Sequence, residues 1–364
     1  MNPPGKILPL FLVGCPRSGT TLLSSILEVK FNLAVPLETH FIPYYSRLLW
    51  LWGDLKHREN REQLLDEIFI FLEIWTARNN PARRPGDCYP VSLLAVKEQR
   101  DEIVDSGTTF GAMVMKIFAL YARGRGREYW LDSSSFYDVE PLHNWDGHFP
   151  GIKVIHIIRD GRDATISWLK SWFRPSNLAD TSKRWLDHVT EKQLWGRRNP
   201  DSYLEIYYED LLDSPEKVID QIADFINESP NPGPIELEKS LYAQVLKVGG
   251  THDLLSGGIQ KGNKGKWQSG MREKEQQFFE FIAGSTLEKL NYPRRFTGFS
   301  LWQRGYFLLK KLFSWPQRFV IKNFYFRKAK TILPVMIFLA IRLGVSKEAI
   351  VKWLRSEENI QAGW

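Results

Sequence analysis

Cysteine is scarce: Cys15 and Cys88 are the only two in 364 residues. A disulfide framework is therefore excluded, and Cys15, set inside a loop, suits a reducing compartment better than an oxidising one. Long apolar runs are also missing. The apolar stretch Ile332 to Ile341 contains Pro334 and ends at Arg342, short of the roughly 20 residues a membrane-spanning helix needs. Met1 to Lys6 leads directly into an apolar strand without a charged and apolar leader, so the cytoplasm is the expected location. No heptad, long internal repeat or low-complexity tract is present. Acidic residues are sparse at one end only. From Thr297 to Trp364 there are 12 Lys and Arg against Glu348, Glu357 and Glu358, while the whole chain carries +7. The basic balance thus belongs to the C-terminal segment, and residues 1–296 are slightly acidic.

What remains is ample for a core. With 43% apolar and 13% aromatic residues, the chain can bury one α/β domain, residues 1–296, with an appendage at 297–364. Strands are expected near residues 8–14, 32–36, 112–118, 128–132, 153–158 and 203–208, separated by helical patterns. That alternation predicts a parallel sheet flanked by helices. Residues 46–110 read as a helical insertion, with Leu64, Leu65, Ile68, Leu72 and Trp75 at helix spacing, followed by a Pro- and Gly-containing loop at Pro85 to Pro90.

The segment Leu8 to Leu23, LPLFLVGCPRSGTTLL, is a short apolar strand running into a glycine-bracketed loop that opens a helix. Backbone N–H groups at a helix start lack intrahelical partners and sit at the positive end of the helix dipole, so this loop attracts an anion. Gly14 and Gly19 keep the spacing of a nucleoside-triphosphatase loop, but Thr20 stands where that loop carries lysine. This argues against a triphosphate and against kinase chemistry. Arg17, Ser18, Thr20 and Thr21 still supply a planar cation and three hydroxyls.

Two further segments repeat the theme. Lys153 to Trp172, KVIHIIRDGRDATISWLKSW, is a β-branched strand ending at Arg159, a tight turn, and a helix for which Asp163 is the expected N-cap. Arg159 and Ser167 could flank one phosphate at the carboxyl end of the sheet. Gln260 to Trp267, QKGNKGKW, is a basic, glycine-punctuated loop. Together the three segments resemble sulfotransferases that use 3′-phosphoadenosine 5′-phosphosulfate (PAPS), over about residues 8–293. The resemblance implies a P-loop-like fold, with Arg17, Ser18, Gly19, Thr20 and Thr21 holding the 5′-phosphosulfate. Arg159, Ser167, Lys261, Gly262 and Lys264 would hold the 3′-phosphate. Gly265 and Trp267 would shape the third loop, and Tyr208, in YLEIYYEDLLD, would lie near the nucleotide. No metal is implied. Gln260 departs from the family, which usually has arginine there.

Between the first two segments, VPLETHFIP at Val35 to Pro43 contains Glu38, which resembles the catalytic glutamate of tyrosylprotein and related bacterial sulfotransferases. Sulfuryl transfer to a hydroxyl needs a base for the acceptor proton and fixed positive groups for the leaving oxygen. Glu38 is the expected base and His40 its competitor, since extended residues two apart point the same way. Many relatives also carry a lysine that assists the leaving phosphate. Here the segment reads Asp132-Ser133-Ser134-Ser135, leaving Ser133 or Ser134, Arg17, or Lys116 from a nearby strand to substitute.

The acceptor expected from this reading is a hydroxyl on a lipid, glycan or small molecule, selected by the insertion at 46–110. Aromatic residues interleave with the C-terminal cations, including Trp302, Tyr306, Phe307, Leu308 and Phe313. This composition suits an anionic membrane surface, a hairpin packed on the domain or on the second chain of a homodimer, or an acidic polymer; nucleic acid binding is not required. The missing lysine and Gln260 motivate the alternative of a nucleotide-binding, membrane-associated scaffold with reduced catalysis.

Overall fold

The computed structural model describes residues 9–79, 91–133, 147–171, 177–248, 258–313, 328–346 and 349–350. The expected parallel sheet is present. Its strands are β1 (Pro9–Gly14), β2 (Leu33–Ala34), β3 (Tyr129–Asp132), β4 (Lys153–Ile158) and β5 (Tyr203–Tyr207), in the order β2-β3-β1-β4-β5 with every pairing parallel. β1 runs down the middle, with Phe11 opposite Asp132 on one side and Gly14 opposite Ile157 on the other. All five carboxyl ends therefore open on one edge, where ligands of such sheets bind.

Side chains of β1 alternate between two cores because successive strand residues point to opposite faces. Leu10 and Leu12 pack with Leu23, Ile26 and Leu27 of the first helix, Thr20–Lys30, and with Ile219 and Ile222 of Pro215–Ile226. Phe11 and Val13 face the larger aromatic core, with Trp130, Phe118, Phe41, Phe71 and Trp52. Phe11 meets Trp130 edge-on, and Trp130 stacks on Phe118.

The strand expected at residues 112–118 is instead part of a helix, Phe110–Gly124. Thr109 caps it by accepting from the Ala112 amide at 3.1 Å, and Met113, Val114, Ile117, Phe118 and Tyr121 lie along its buried side. A short apolar run has no period of its own, and the cap and length decide for helix. The insertion contains the helices Arg58–Asn79 and Arg100–Val104. Its main helix, Arg58–Asn79, buries Leu64, Leu65, Ile68 and Leu72 and packs against Phe41–Tyr45, Arg100–Val104 and Lys328–Arg342; the Pro85–Pro90 loop and Cys88 lie outside the described residues.

The C-terminal segment is split in its behaviour. Within Lys328–Arg342, Ile337 joins the main core and Phe338 meets Trp52 edge-on at 5.7 Å, while Arg342 donates to Gln63 of the insertion. The helix Leu301–Phe313 instead rests on Glu273–Lys289 through Phe307. Among the described residues no helix is long and apolar enough to cross a membrane.

Candidate active site

The first loop turns from β1 into its helix through two left-handed residues, Arg17 at φ +73° and Gly19 at φ +97°. Gly19 also lies against Tyr208: a Cβ built there would sit 2.3 Å from the ring. Glycine is required on both counts. No side chain caps the helix that follows, and its first turn carries no acid. The helix start is left for an anion, with Ser18 Oγ buried beside it and without a hydrogen-bond partner.

The second segment closes on this loop from β4. Arg159 is almost fully buried; it donates to the Arg17 carbonyl at 3.1 Å and to the Asn263 carbonyl at 2.8 Å, and its guanidinium lies 4.4 Å over the Tyr208 ring. Arg17 Nε donates to Ser167 Oγ at 3.0 Å. Arg159 thus ties the second segment to the third loop across 104 residues and to the first loop across 142, and Arg17 ties the first loop to the second segment across 150. Burial, then the adjacent Arg159 charge, lowers the Arg17 pKa from its ordinary value, while Tyr208 and Glu38 pull it back up. Two cations held this close in a sheltered place favour an anion between them.

Asp163 has a different place from the one expected. The N-cap of Gly161–Leu169 is Asp160, which accepts from the Arg162 amide at 2.9 Å. Asp163 sits in the first turn and accepts from the backbone N–H of Gly265 at 2.6 Å and of Trp267 at 2.7 Å. It therefore ties the third loop to this helix through the Gly265 and Trp267 amides. Arg162 is fully buried beneath: it donates to both Asp160 oxygens and to Glu280 at 2.9 Å, and lies 3.6 Å over Trp267. Within the third loop Asn263 donates to the Tyr208 hydroxyl at 2.8 Å. Lys261 and Gly262 are exposed next to it, whereas Lys264 pairs with Asp213 on the outer side.

Glu38 follows β2 at the same sheet edge. Its Oε2 lies 3.0 Å from Nε2 of His40, and a third of its side chain reaches solvent while His40 is completely buried. His40 does not continue an extended chain: at φ +53° it turns the backbone into the helix Phe41–Tyr45, its ring edge-on to Trp75. Beside Glu38, Thr39 Oγ1 donates to Asp132 at the end of β3. Tyr242 completes this corner. Its pKa is raised, first by burial and then by the Glu38 charge, with Asp132 and Ser133 alongside. Glu28 of the first helix anchors it by accepting from the Tyr242 amide at 3.0 Å and from Ser240 at 2.6 Å.

Lys116 does not reach this edge. It lies on the helix Phe110–Gly124 and pairs with Glu102 at 2.7 Å, on the far surface of the insertion. Ser134 is outside the described residues, and Ser133 follows β3 beside Tyr242. The contacts of Asn263 with Arg159 and Tyr208, of Asp163 with the third loop, and of Tyr242 with the Glu38 corner are not among those expected from sequence. A short amide between two lysines, an acid in an Arg-Asp run and a tyrosine far along the chain carry no local signal.

The sequence model of the Sulfotransferase family matches residues 9–231. Protein-tyrosine sulfotransferase 1 of Danio rerio is 25% identical over 229 residues, 61% of this chain and 54% of that protein. Sulfotransferase 1B1 of Mus musculus is 29% identical over 110 residues, 25% of this chain and 34% of that one. The chain thus spans about half or less of the length of these relatives. Among solved structures, the sulfotransferase domain of the Synechococcus PCC 7002 olefin synthase superposes with a TM-score of 0.52 at 20% identity, covering 80% of this chain and 98% of that domain. That likeness is one of fold. The anion loop, the cation pair and the match across residues 9–231 agree, and the chain belongs to the Sulfotransferase family.

Proposed function

We propose that the protein transfers a sulfuryl group from PAPS to the hydroxyl of an acceptor, with Glu38 as general base. The observation that carries this reading is the double bridge made by Arg159, to Arg17 and to Asn263. It brings three separated loops together around two arginines at the sheet edge. Two unpartnered polar atoms support a nucleotide with phosphates at two positions: Arg159 Nε and Ser18 Oγ are buried there without partners, and buried polar groups of this kind are costly unless something pairs with them. Ser18, Gly19, Thr20, Thr21 and Arg17 would hold the 5′-phosphosulfate, and Arg159, Ser167, Lys261 and Gly262 the 3′-phosphate. Tyr208 would line the nucleotide beside them.

PAPS, when bound, supplies a sulfuryl group already joined to a phosphate leaving group. Glu38 takes the proton of the acceptor hydroxyl, so that the oxygen lone pair can form the new bond to sulfur as the bond to the phosphate oxygen breaks. His40 acts through Glu38 as a positioning residue, since it is buried and cannot meet the acceptor itself. Arg17, within electrostatic reach of Glu38, stabilises the charge left on the phosphate oxygen in place of the missing lysine. The aromatic insertion covers the neighbouring space and selects the acceptor.

Calorimetric titration with adenosine 3′,5′-bisphosphate, beside ATP and AMP, tests the reading. Binding of the bisphosphate alone is expected, lost in Arg159→Ala. Glu38→Gln should retain that binding while abolishing turnover with PAPS and a hydroxyl acceptor. Preference for ATP, or no nucleotide binding, overturns the assignment; binding without any Glu38-dependent turnover would point to the scaffold alternative.

A further inference from the structure

Among the described residues, the helix Leu301–Phe313 buries Phe307, which is set among Phe278, Phe281 and Phe299. At 3.6 residues per turn, Leu301, Trp302, Tyr306, Leu308, Leu309 and Leu312 fall on the half of the helix facing away from Phe307. All six are exposed, Trp302 to 90% and Leu301 to 85%. Cations occupy both margins of this apolar half. Arg304 and Lys311 lie along one, and Lys310, its ammonium 4.4 Å over the Phe278 ring, along the other. The sequence has no Asp or Glu from Thr297 to Lys347.

An outward apolar half bordered by cations on both sides matches the boundary between acyl chains and anionic headgroups: apolar side chains enter, tryptophan sits at the interface, and Lys and Arg remain at phosphate level. A second copy of the chain fits less well. Pairing the face with itself would bring two acid-free cationic borders together. We propose that Leu301–Phe313 docks the protein in plane on an anionic lipid bilayer. This inference is independent of the sulfotransferase reading.

The test is sedimentation of the full chain with vesicles of phosphatidylcholine containing phosphatidylglycerol, compared with pure phosphatidylcholine vesicles. The anionic vesicles should carry the protein down, increasingly so at low salt. The combined variant Trp302→Ser, Leu309→Ser, Leu312→Ser changes only exposed side chains; it should stay in the supernatant with an unchanged circular dichroism spectrum. Arg304→Gln with Lys311→Gln should weaken binding about fivefold per cation removed, with the difference shrinking as salt rises. Three outcomes overturn the proposal: no sedimentation of the wild type, equal sedimentation of wild type and the apolar variant, or a wild-type dimer in gel filtration that the apolar variant dissociates. Bisphosphate titration of the apolar variant separates the two readings, since nucleotide binding there must persist whether or not the membrane contact exists.

Discussion

Glu67 offers a pH-dependent test of how the C-terminal helix joins the insertion. Its side chain is completely buried, and burial raises its pKa from the ordinary 4.5 to about 7, against the opposing pull of Trp52, Gln63 and Arg342. A carboxylate whose folded pKa exceeds its unfolded value contributes fully below the unfolded value, and the contribution is lost as pH rises through the folded one. Wild-type stability should therefore fall between about pH 4.5 and pH 7 and then level off. At about 1.36 kcal/mol per pH unit for one proton, the loss is at most about 3 kcal/mol. Glu67→Gln keeps the shape and the bond from Gln63 but has no proton to lose. Urea denaturation of both proteins across the pH series isolates the effect as a difference. The variant should match the wild type near pH 4 and exceed it by up to about 3 kcal/mol near pH 8. A flat difference would show that Glu67 does not titrate in that window. A variant weaker than the wild type at high pH would show instead that Arg342 holds Glu67 as a stable ion pair.

Gly19→Ala should lower stability by about 1–2 kcal/mol for a left-handed L residue and by a further ~1–3 kcal/mol for overpacking against Tyr208. In a Tyr208→Ala background only the first part should remain, so a double-mutant cycle by urea denaturation measures the contact; additive effects would refute the close approach of Gly19 to the Tyr208 ring. Arg162→Met leaves Asp160 and Glu280 buried without their shared cation and should cost about 3–5 kcal/mol in denaturation experiments. A loss below about 1 kcal/mol would mean that those carboxylates take up protons or water in its place.

The local geometry within one strand, turn and helix is legible in the sequence. In LVGCPRSGTT the two glycines mark the turn, since Gly14 passes within contact of Ile157 on β4 and Gly19 adopts a positive φ. The place of Arg159 directly after β4 follows from the β-branched run that precedes it. The cap of the next helix is not legible in this way: RDGRDA offers two acids three residues apart, and only the point at which β4 stops decides that Asp160 caps and Asp163 reaches the third loop. The run 112–118 was misread because its apolar residues fit strand or helix equally until Thr109 is seen to cap them. The bridges from Arg17 to Ser167 and from Arg159 to Asn263 span more than 100 residues, and no local pattern encodes such a meeting.

The same bridges explain why the site can hold two cations together. Arg159 has Asp163 at 3.8 Å, but that carboxylate is already engaged by the Gly265 and Trp267 amides, so its charge is shared with the loop it fixes. Arg17 meets the neutral Ser167 hydroxyl and has Glu38 within electrostatic range. Arg162, one turn deeper, shows the contrary arrangement, with two carboxylates on one guanidinium. The protein thus neutralises the arginine beneath the loops more fully than the two that meet at the sheet edge. Under the proposed function, the phosphates of the bound nucleotide would supply the missing countercharge and relieve the repulsion between Arg17 and Arg159.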